Sequence, residues 1–205
     1  MAETVYHLKV TMRGIRPPIW RRLRVPSTVT FAQLHDVLQV AFGWTNSHLH
    51  QFRVGRDCFG MPDPDGGGSD VIDERRVRLE KVVNVKSKLL YEYDFGDGWE
   101  HDIVVERADA VRNPVPTCLD GRRSGPPEDC GGPFGYGNLL EVLADPSHPE
   151  HAEMLEWAGP DLHPEHFDVD ATNKQLRTLG ARWQRAIARK PRSARSRSRW
   201  RPAND

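Results

Sequence analysis

Two runs of alternating apolar residues, separated by a short glycine-containing segment, dominate the middle of the chain. One run precedes and the other follows the tripeptide Gly96-Asp97-Gly98; together they place apolar residues or histidine at Leu89, Tyr91, Tyr93, Phe95, Trp99, His101, Ile103 and Val105. A period of two is typical of a strand with one buried face, and two such runs joined by a tight turn predict an antiparallel hairpin. The chain must therefore build a sheet with a covered apolar face, and residues 88–106 are its clearest part.

The length of the connecting loop decides which residues of this hairpin face each other. A two-residue loop would pair Phe95 with Glu100 and place the two apolar sets on opposite faces of the sheet. A three-residue loop pairs Phe95 with Trp99 and Tyr93 with His101, which brings the apolar sets together. Because a slip of one residue would expose a whole buried face, we predict the three-residue loop.

The other segments divide into strands in the first half and helices in the second. Alternation predicts further strands at residues 5–13, 19–25 and 48–54. Thr30 and Gln33 form a capping box that begins a helix, and Gly43 is placed to end it. After an irregular Pro- and Gly-rich segment, helical patterns follow at residues 139–144, 150–158 and 172–188. This order predicts an α+β fold: a strand-rich N-terminal half, with a mostly antiparallel sheet and one packed helix, followed by a helical C-terminal part.

The net charge of zero conceals an uneven distribution of charge along the chain. Residues 181–205 contain nine lysines and arginines and one acidic residue, whereas the other 180 residues contain 20 basic and 28 acidic side chains. A basic segment with so few apolar residues cannot bury enough surface to offset the entropy of ordering it. We therefore predict a single α+β domain over residues 1–180 and a disordered basic tail over residues 181–205.

This tail is the part of the chain best suited to contact DNA or RNA. Its cations can neutralise phosphates without reading sequence, and a tryptophan can stack on a base. The nucleic-acid-binding residues predicted on this basis are Arg189, Lys190, Arg192, Arg195, Arg197, Arg199, Trp200 and Arg201. A solubilising extension that has no partner is the competing interpretation.

Composition excludes several protein classes. The chain is 38% hydrophobic and 28% charged, as expected for a chain with a real core. No stretch approaches the roughly 18 apolar residues of a membrane span, so we expect no membrane partner. The first ten residues lack the basic start and apolar run of a secretory signal. Three cysteines are too few for a disulfide-built scaffold, and we expect a reducing, cytoplasmic location.

Two cysteines in the Pro- and Gly-rich segment are candidate metal ligands. Cys118 and Cys130 have three acidic side chains near them in sequence, Asp120, Glu128 and Asp129. Thiolates are good ligands for zinc, but the segment lacks the C-x₂-C spacing that most zinc sites share. Two buried thiols that only pack, or a redox pair, are therefore alternatives.

Three histidines on the predicted strands would complete such a site. The alternation places His48 and His50 on one face of a strand and His101 on the buried side of the hairpin. We predict a zinc site formed by His50, His101, Cys118 and Cys130, with His48, Asp94 and Asp97 around it. The alternatives are core histidines with other polar partners, and aspartates that merely favour a turn.

Three stretches of the sequence resemble the plasmid pRiA4b ORF-3-like family: YHLKVTMRGIRPPIWRRLRVP, LLYEYDFGDGWEHDIVVE and CLDGRRSGPPEDCGGPFGY. They occur in the family's order, with TFAQLHDVLQVAFGW and HLHQF between the first two, and the resemblance spans about residues 6–179. It implies an α+β fold and a bacterial protein associated with plasmids or mobile elements, and it implies no activity. Some relatives are labelled resolvases, but this sequence contains no serine- or tyrosine-recombinase constellation.

The sequence supports two hypotheses of function. The first is a binding module that contacts nucleic acid through the basic tail. The second is a metal-dependent enzyme that uses a Cys/His/Asp site. The glycine-rich run at residues 131–137 lacks the Lys-Ser or Lys-Thr of a P-loop, and no G-x-S-x-G motif occurs. The choice between enzyme and non-enzyme is therefore open at this level.

Overall fold

A mostly antiparallel sheet forms the body of the protein in a computed structural model, which describes residues 1–63, 70–159 and 162–189. Its eight strands are β1 (Ala2–Met12), β2 (Trp20–Pro26), β3 (His50–Val54), β4 (Asp57–Gly60), β5 (Val71–Asp73), β6 (Lys88–Tyr93), β7 (Trp99–Arg112) and β8 (Thr117–Arg122). The helices are α1 (Phe31–Phe42), α2 (Gly132–Ala144), α3 (His151–Ala158) and α4 (Val169–Arg189). The strand order is β5-β4-β3-β6-β7-β1-β2-β8, in which β4 and β5 pair in parallel. The predicted α+β class is confirmed.

Helix α1 covers the apolar face of the sheet and begins and ends where the sequence predicts. The Thr30 side chain accepts a hydrogen bond from the Gln33 amide while the Gln33 side chain accepts one from the Thr30 amide, which completes the capping box. Gly43 ends the helix in the left-handed region, at φ 81°. At the first turn, Phe31 stacks on Phe59 of β4 with 4.3 Å between ring centroids. The capped helix is thereby held against the sheet.

The hairpin of β6 and β7 forms, but its register differs from the prediction. Tyr93 pairs with Trp99 and Tyr91 with His101, so the predicted pairing of Phe95 with Trp99 is wrong by two residues. The loop contains the five residues 94–98 rather than three. Because a shift of two residues preserves the faces, the predicted apolar face is still buried. Only Phe95 leaves it, and its side chain is half exposed.

Helix α4 packs against α1 and β8 and continues through the predicted domain boundary. It buries Leu176 and Leu179, and the Trp183 indole donates a hydrogen bond to Asp36 of α1 at 3.4 Å. Residues 181–189, which we predicted as the start of a disordered tail, are therefore helical. The nucleic-acid-binding residues predicted from Lys190 onward lie outside the described residues. The disorder of that part, and the single domain over residues 1–180, stay predictions.

Helices α2 and α3 form a small pair at the periphery of the sheet. They contact each other, and α3 contains no buried residue. Leu155 and Trp157 of α3 are about half exposed. None of the helices in the described ranges is long and apolar enough to cross a membrane.

We predict that Trp99→Ala lowers the free energy of unfolding by about 3–5 kcal/mol, because it empties the volume of a large buried aromatic side chain. Trp99 is 1% exposed and its ring lies 6.1 Å from that of Trp44. Urea denaturation monitored by circular dichroism measures the change. Trp157→Ala, at a side chain 48% exposed, is the control and should cost less than about 1 kcal/mol. Equal losses in the two variants would contradict a core role for Trp99.

Candidate metal centre

Three segments that are far apart in sequence meet at the β6–β7 loop. They are the connection from α1 to β3, the loop itself, and the segment that precedes α2. Each contributes one side chain: His48, Asp94 and Asp129. The His48 ring lies between the two carboxylates, with Nδ1 3.6 Å from Asp94 Oδ2 and Nε2 3.2 Å from Asp129 Oδ1. Two of the three family-like stretches, those that contain Asp94 and Asp129, thus meet at His48.

Asp94 is held rigidly by its own loop. Its backbone lies in the left-handed region, at φ 56°, and its Oδ1 accepts hydrogen bonds from the Gly96 and Asp97 amides at 2.9 and 3.3 Å. The Gly98 amide donates to the Asp94 carbonyl at 2.7 Å, which closes the turn. One carboxylate oxygen is therefore committed to the loop. The other, Oδ2, faces His48.

Asp97 joins this loop to the segment that carries Asp129. Its Oδ2 accepts a hydrogen bond from the Gly131 amide at 3.2 Å. The contact is close enough to require glycine at position 132, where a Cβ atom would lie 2.2 Å from the Asp97 carbonyl oxygen. Asp129 itself has φ 59°, a conformation that costs a non-glycine residue energy. Docking of the two segments turns the Asp129 carboxylate toward His48.

A third carboxylate, Glu128, lies beside this group and is fixed by hydrogen bonds. The Tyr93 hydroxyl donates to Glu128 Oε1 at 2.5 Å, and the Thr45 hydroxyl donates to Oε2. Burial raises the pKa of Glu128, but the hydrogen bonds from Thr45 and Tyr93 outweigh it, so the pKa lies below its usual value. Burial and the same bond to Glu128 raise the pKa of Tyr93. Glu128 is therefore an anion near the site at neutral pH.

The donor set of His48, Asp94 and Asp129 is suited to a divalent cation. One ligand atom from each residue lies within 4.8 Å of the other two, and no other group of three metal-ligating side chains in the described ranges meets this condition. The His48 Nε2 atom is buried and makes no aligned hydrogen bond, although Asp129 is close to it. An imidazole nitrogen and two carboxylate oxygens match the preferences of Zn²⁺ and Mn²⁺.

A cleft of about 510 Å³ continues from His48 toward the β4–β5 edge. Two further imidazoles line it, His35 and His50, whose rings stack with 3.4 Å between centroids. His50 Nε2 lies 2.8 Å from the buried carboxylate of Glu74. Burial, together with the neighbouring His50, lowers the pKa of His35 to about 3, so its ring is neutral. The cleft thus contains one imidazole bonded to a carboxylate and one neutral imidazole.

The structure does not bring together the four residues predicted to bind zinc, His50, His101, Cys118 and Cys130, because no three of them have ligand atoms within 4.8 Å of one another. His50 is engaged by Glu74, and His101 lies among aromatic rings with its Nδ1 3.0 Å from the Trp99 carbonyl. Both thiols are uncharged, since burial raises the pKa of Cys118 to about 11 and of Cys130 to about 12.

Three residues were predicted around the zinc site. Two of them, His48 and Asp94, belong to the candidate cation site with Asp129, and the third, Asp97, links the β6–β7 loop to the segment that carries Asp129. Sequence reasoning treated Asp129 only as a neighbour of the cysteines. The sequence pointed to Asp129 only indirectly, as one of two acidic residues that precede Cys130, Gly131 and Gly132 in a segment dense in turn-forming residues. No pattern in the sequence pointed to Glu74, because it lies near His50 only in the folded chain.

Three comparisons place the chain among proteins without an assigned activity. Residues 4–171 match the family described as plasmid pRiA4b ORF-3-like protein. An uncharacterized protein of Sinorhizobium fredii, y4hQ, is 46% identical over 195 residues, which are 93% of this chain and 100% of the relative. The crystal structure of a protein of unknown function from Methanosarcina mazei, MM3350, has a TM-score of 0.76 and 37% identity; the match covers 83% of this chain and 98% of that one.

We predict that the stability of the protein falls as the pH drops below about 6.5, in part because His101 stays neutral in the folded state. Burial lowers the pKa of His101 to about 4, so only the unfolded chain binds a proton there between pH 6.5 and 4. Each histidine that stays neutral in the folded state makes the free energy of unfolding fall by up to about 1.4 kcal/mol per pH unit.

The variant His101→Phe removes this contribution. Its free energy of unfolding, measured in urea from pH 7 to pH 5, should depend less steeply on pH than that of the wild type. Ile103→Val, a destabilising change at a fully buried neighbour that does not titrate, should keep the wild-type slope. A slope unchanged in His101→Phe would show that His101 is protonated in the folded protein.

Proposed function

The chain belongs to the plasmid pRiA4b ORF-3-like family, and we propose that it is a binding module that holds a divalent cation between His48, Asp94 and Asp129. The observation that carries this proposal is the buried His48 Nε2 atom, which has no aligned hydrogen bond and lies 3.2 Å from a carboxylate oxygen. A bound cation would give this nitrogen the partner that a buried polar atom requires.

The spacing of the three donors supports the proposal. Two ligands of a tetrahedral zinc ion, each about 2.1 Å from it, lie about 3.4 Å apart. The three ligand atoms are within 4.8 Å of one another, and rotation of the side chains toward a bound cation would close the site. Asp94 is already oriented by its loop amides, as ligands in metal sites are oriented by surrounding hydrogen bonds.

Three protein ligands leave coordination positions open to water or substrate, as in catalytic rather than structural zinc sites. The cleft begins at His48, and the Glu128 carboxylate lies beside the group. A metal-dependent enzyme that uses His and Asp ligands is therefore the natural extension of the binding proposal. The cysteines of the predicted Cys/His/Asp site have no part in it.

We predict that the metal-free protein, prepared by dialysis against EDTA, binds one equivalent of Zn²⁺ or Mn²⁺ in isothermal titration calorimetry. His48→Ala and Asp129→Asn should each weaken binding at least tenfold, since each removes a ligand. Asparagine tolerates the left-handed backbone at position 129, so the second variant preserves the loop.

Exposed residues outside the group supply the controls. His163→Ala and Asp170→Asn repeat the two chemical changes at exposed positions and should leave the affinity unchanged. The absence of stoichiometric binding by the wild type would overturn the proposal, and so would equal affinities in the four variants. His48 would then be an imidazole that bridges two carboxylates.

A second function, contact with DNA or RNA, is favoured by the solvent face of α4. Four cations are exposed on the side opposite to its buried residues: Lys174, Arg177, Arg182 and Arg185. The buried side contains Leu176 and Leu179. In the sequence, α4 is followed by residues 190–205, which contain further arginines and Trp200. Such a surface attracts phosphates without reading sequence.

We predict that a fluorescent 20-nucleotide single-stranded DNA binds the full chain, with an affinity that falls steeply between 50 and 200 mM salt. Deletion of residues 189–205 should abolish binding at physiological salt. In the full chain, changing Lys174, Arg177, Arg182 and Arg185 to glutamine should weaken DNA binding at low salt relative to the wild type. Fluorescence anisotropy measures both effects, and an affinity unchanged by the deletion would contradict the proposal.

A further inference from the structure

A fully buried arginine, Arg21, occupies the second position of β2 and contacts the C-terminal end of α1, whereas Glu74 contacts the N-terminal end. Arg21 is 1% exposed. Its Nε donates to the Ala41 carbonyl at 2.7 Å, and its Nη1 donates to the carbonyls of Trp20 and Arg122 at 2.9 and 3.1 Å. The guanidinium also lies 3.6 Å from the ring centroid of Phe167. These contacts hold the group in one place.

Every hydrogen-bond acceptor of Arg21 is an uncharged carbonyl. Within the described part of the chain it forms no ion pair, and its Nη2 atom forms no hydrogen bond. Burial lowers the pKa of Arg21 to about 10, so the side chain is still charged at neutral pH. A buried charge without a counter-charge is costly, and proteins ordinarily pair it.

A cavity of about 400 Å³ opens beside this guanidinium. Its walls are largely apolar, with Phe42, Leu162, Phe167 and Ala171 among them. Arg21 is the one lysine or arginine in the described lining. The volume lies in the range of small-molecule sites, and a single buried cation among apolar walls favours a ligand with one negative charge and an apolar body.

We propose that this cavity binds a small organic monocarboxylate, with its carboxylate at Arg21 and its apolar part against Leu162 and Ala171. Nη2 is the guanidinium nitrogen left to donate to a carboxylate, and a lone cation does not balance the two charges of a phosphate monoester. Asp168, which also lines the cavity, uses its Oδ1 to accept the Ala171 amide at 2.8 Å. The site is independent of the His48 group.

The test uses the full chain in buffer with EDTA, so that cation binding plays no part. Isothermal titration with benzoate should give saturable one-to-one binding, and benzamide, its neutral analogue of similar shape, should bind at least tenfold more weakly. Arg21→Met should abolish the preference for benzoate. Because that change also removes the hydrogen bonds from Arg21 to three carbonyls, a second variant keeps Arg21 and fills the cavity.

Ala171→Leu places a larger apolar side chain into the mouth of the cavity from the exposed start of α4. It should abolish benzoate binding, whereas Ala186→Leu, on the solvent face of the same helix, should not. His48→Ala should bind benzoate as the wild type does. No benzoate binding by the wild type, equal binding of benzamide, or full binding by Ala171→Leu would each overturn the proposal.

Discussion

The carboxylate of Asp94 is the constraint on which the centre of this molecule depends. Its Oδ1 accepts hydrogen bonds from two amides of its own loop, which fixes the five-residue turn and the register of β6 against β7. The Asp94 amide donates to the Leu49 carbonyl at 2.9 Å, which places His48 beside the remaining oxygen. The same turn presents Asp97 to Gly131 and thereby sets the position of Asp129.

Several polar and charged side chains are buried in this protein, and each is accommodated differently. His50 is paired with Glu74, and His35 is neutral and bonded to the Tyr91 hydroxyl at 2.8 Å. Arg21 keeps its charge and is stabilised by three backbone carbonyls, one of them at the end of α1, and by the ring of Phe167. Polar groups placed this deep fix the relative positions of α1, β2 and β3 and also provide preorganised donors where cavities open.

Local patterns predicted the helix α1 and both faces of the hairpin, because a capping box and a period of two depend on neighbouring residues alone. The hairpin register was missed since the side chain of Asp94 lengthens the turn, which alternation does not encode. The metal group was found only in part. His48 and Asp94 lie beside ordered strands, whereas Asp129 reaches them through an irregular segment whose path is set by long-range packing against Asp97. The cysteines drew attention to Cys118 and Cys130 of that segment rather than to Asp129.

The three unpaired thiols have a consequence for how the protein withstands oxidation. Burial raises the pKa of Cys58, Cys118 and Cys130, so each is protonated at neutral pH. Thiolates, not thiols, attack disulfides and react with peroxides and alkylating agents. The chain therefore retains free cysteines that react slowly, and its fold does not depend on the redox potential of its surroundings.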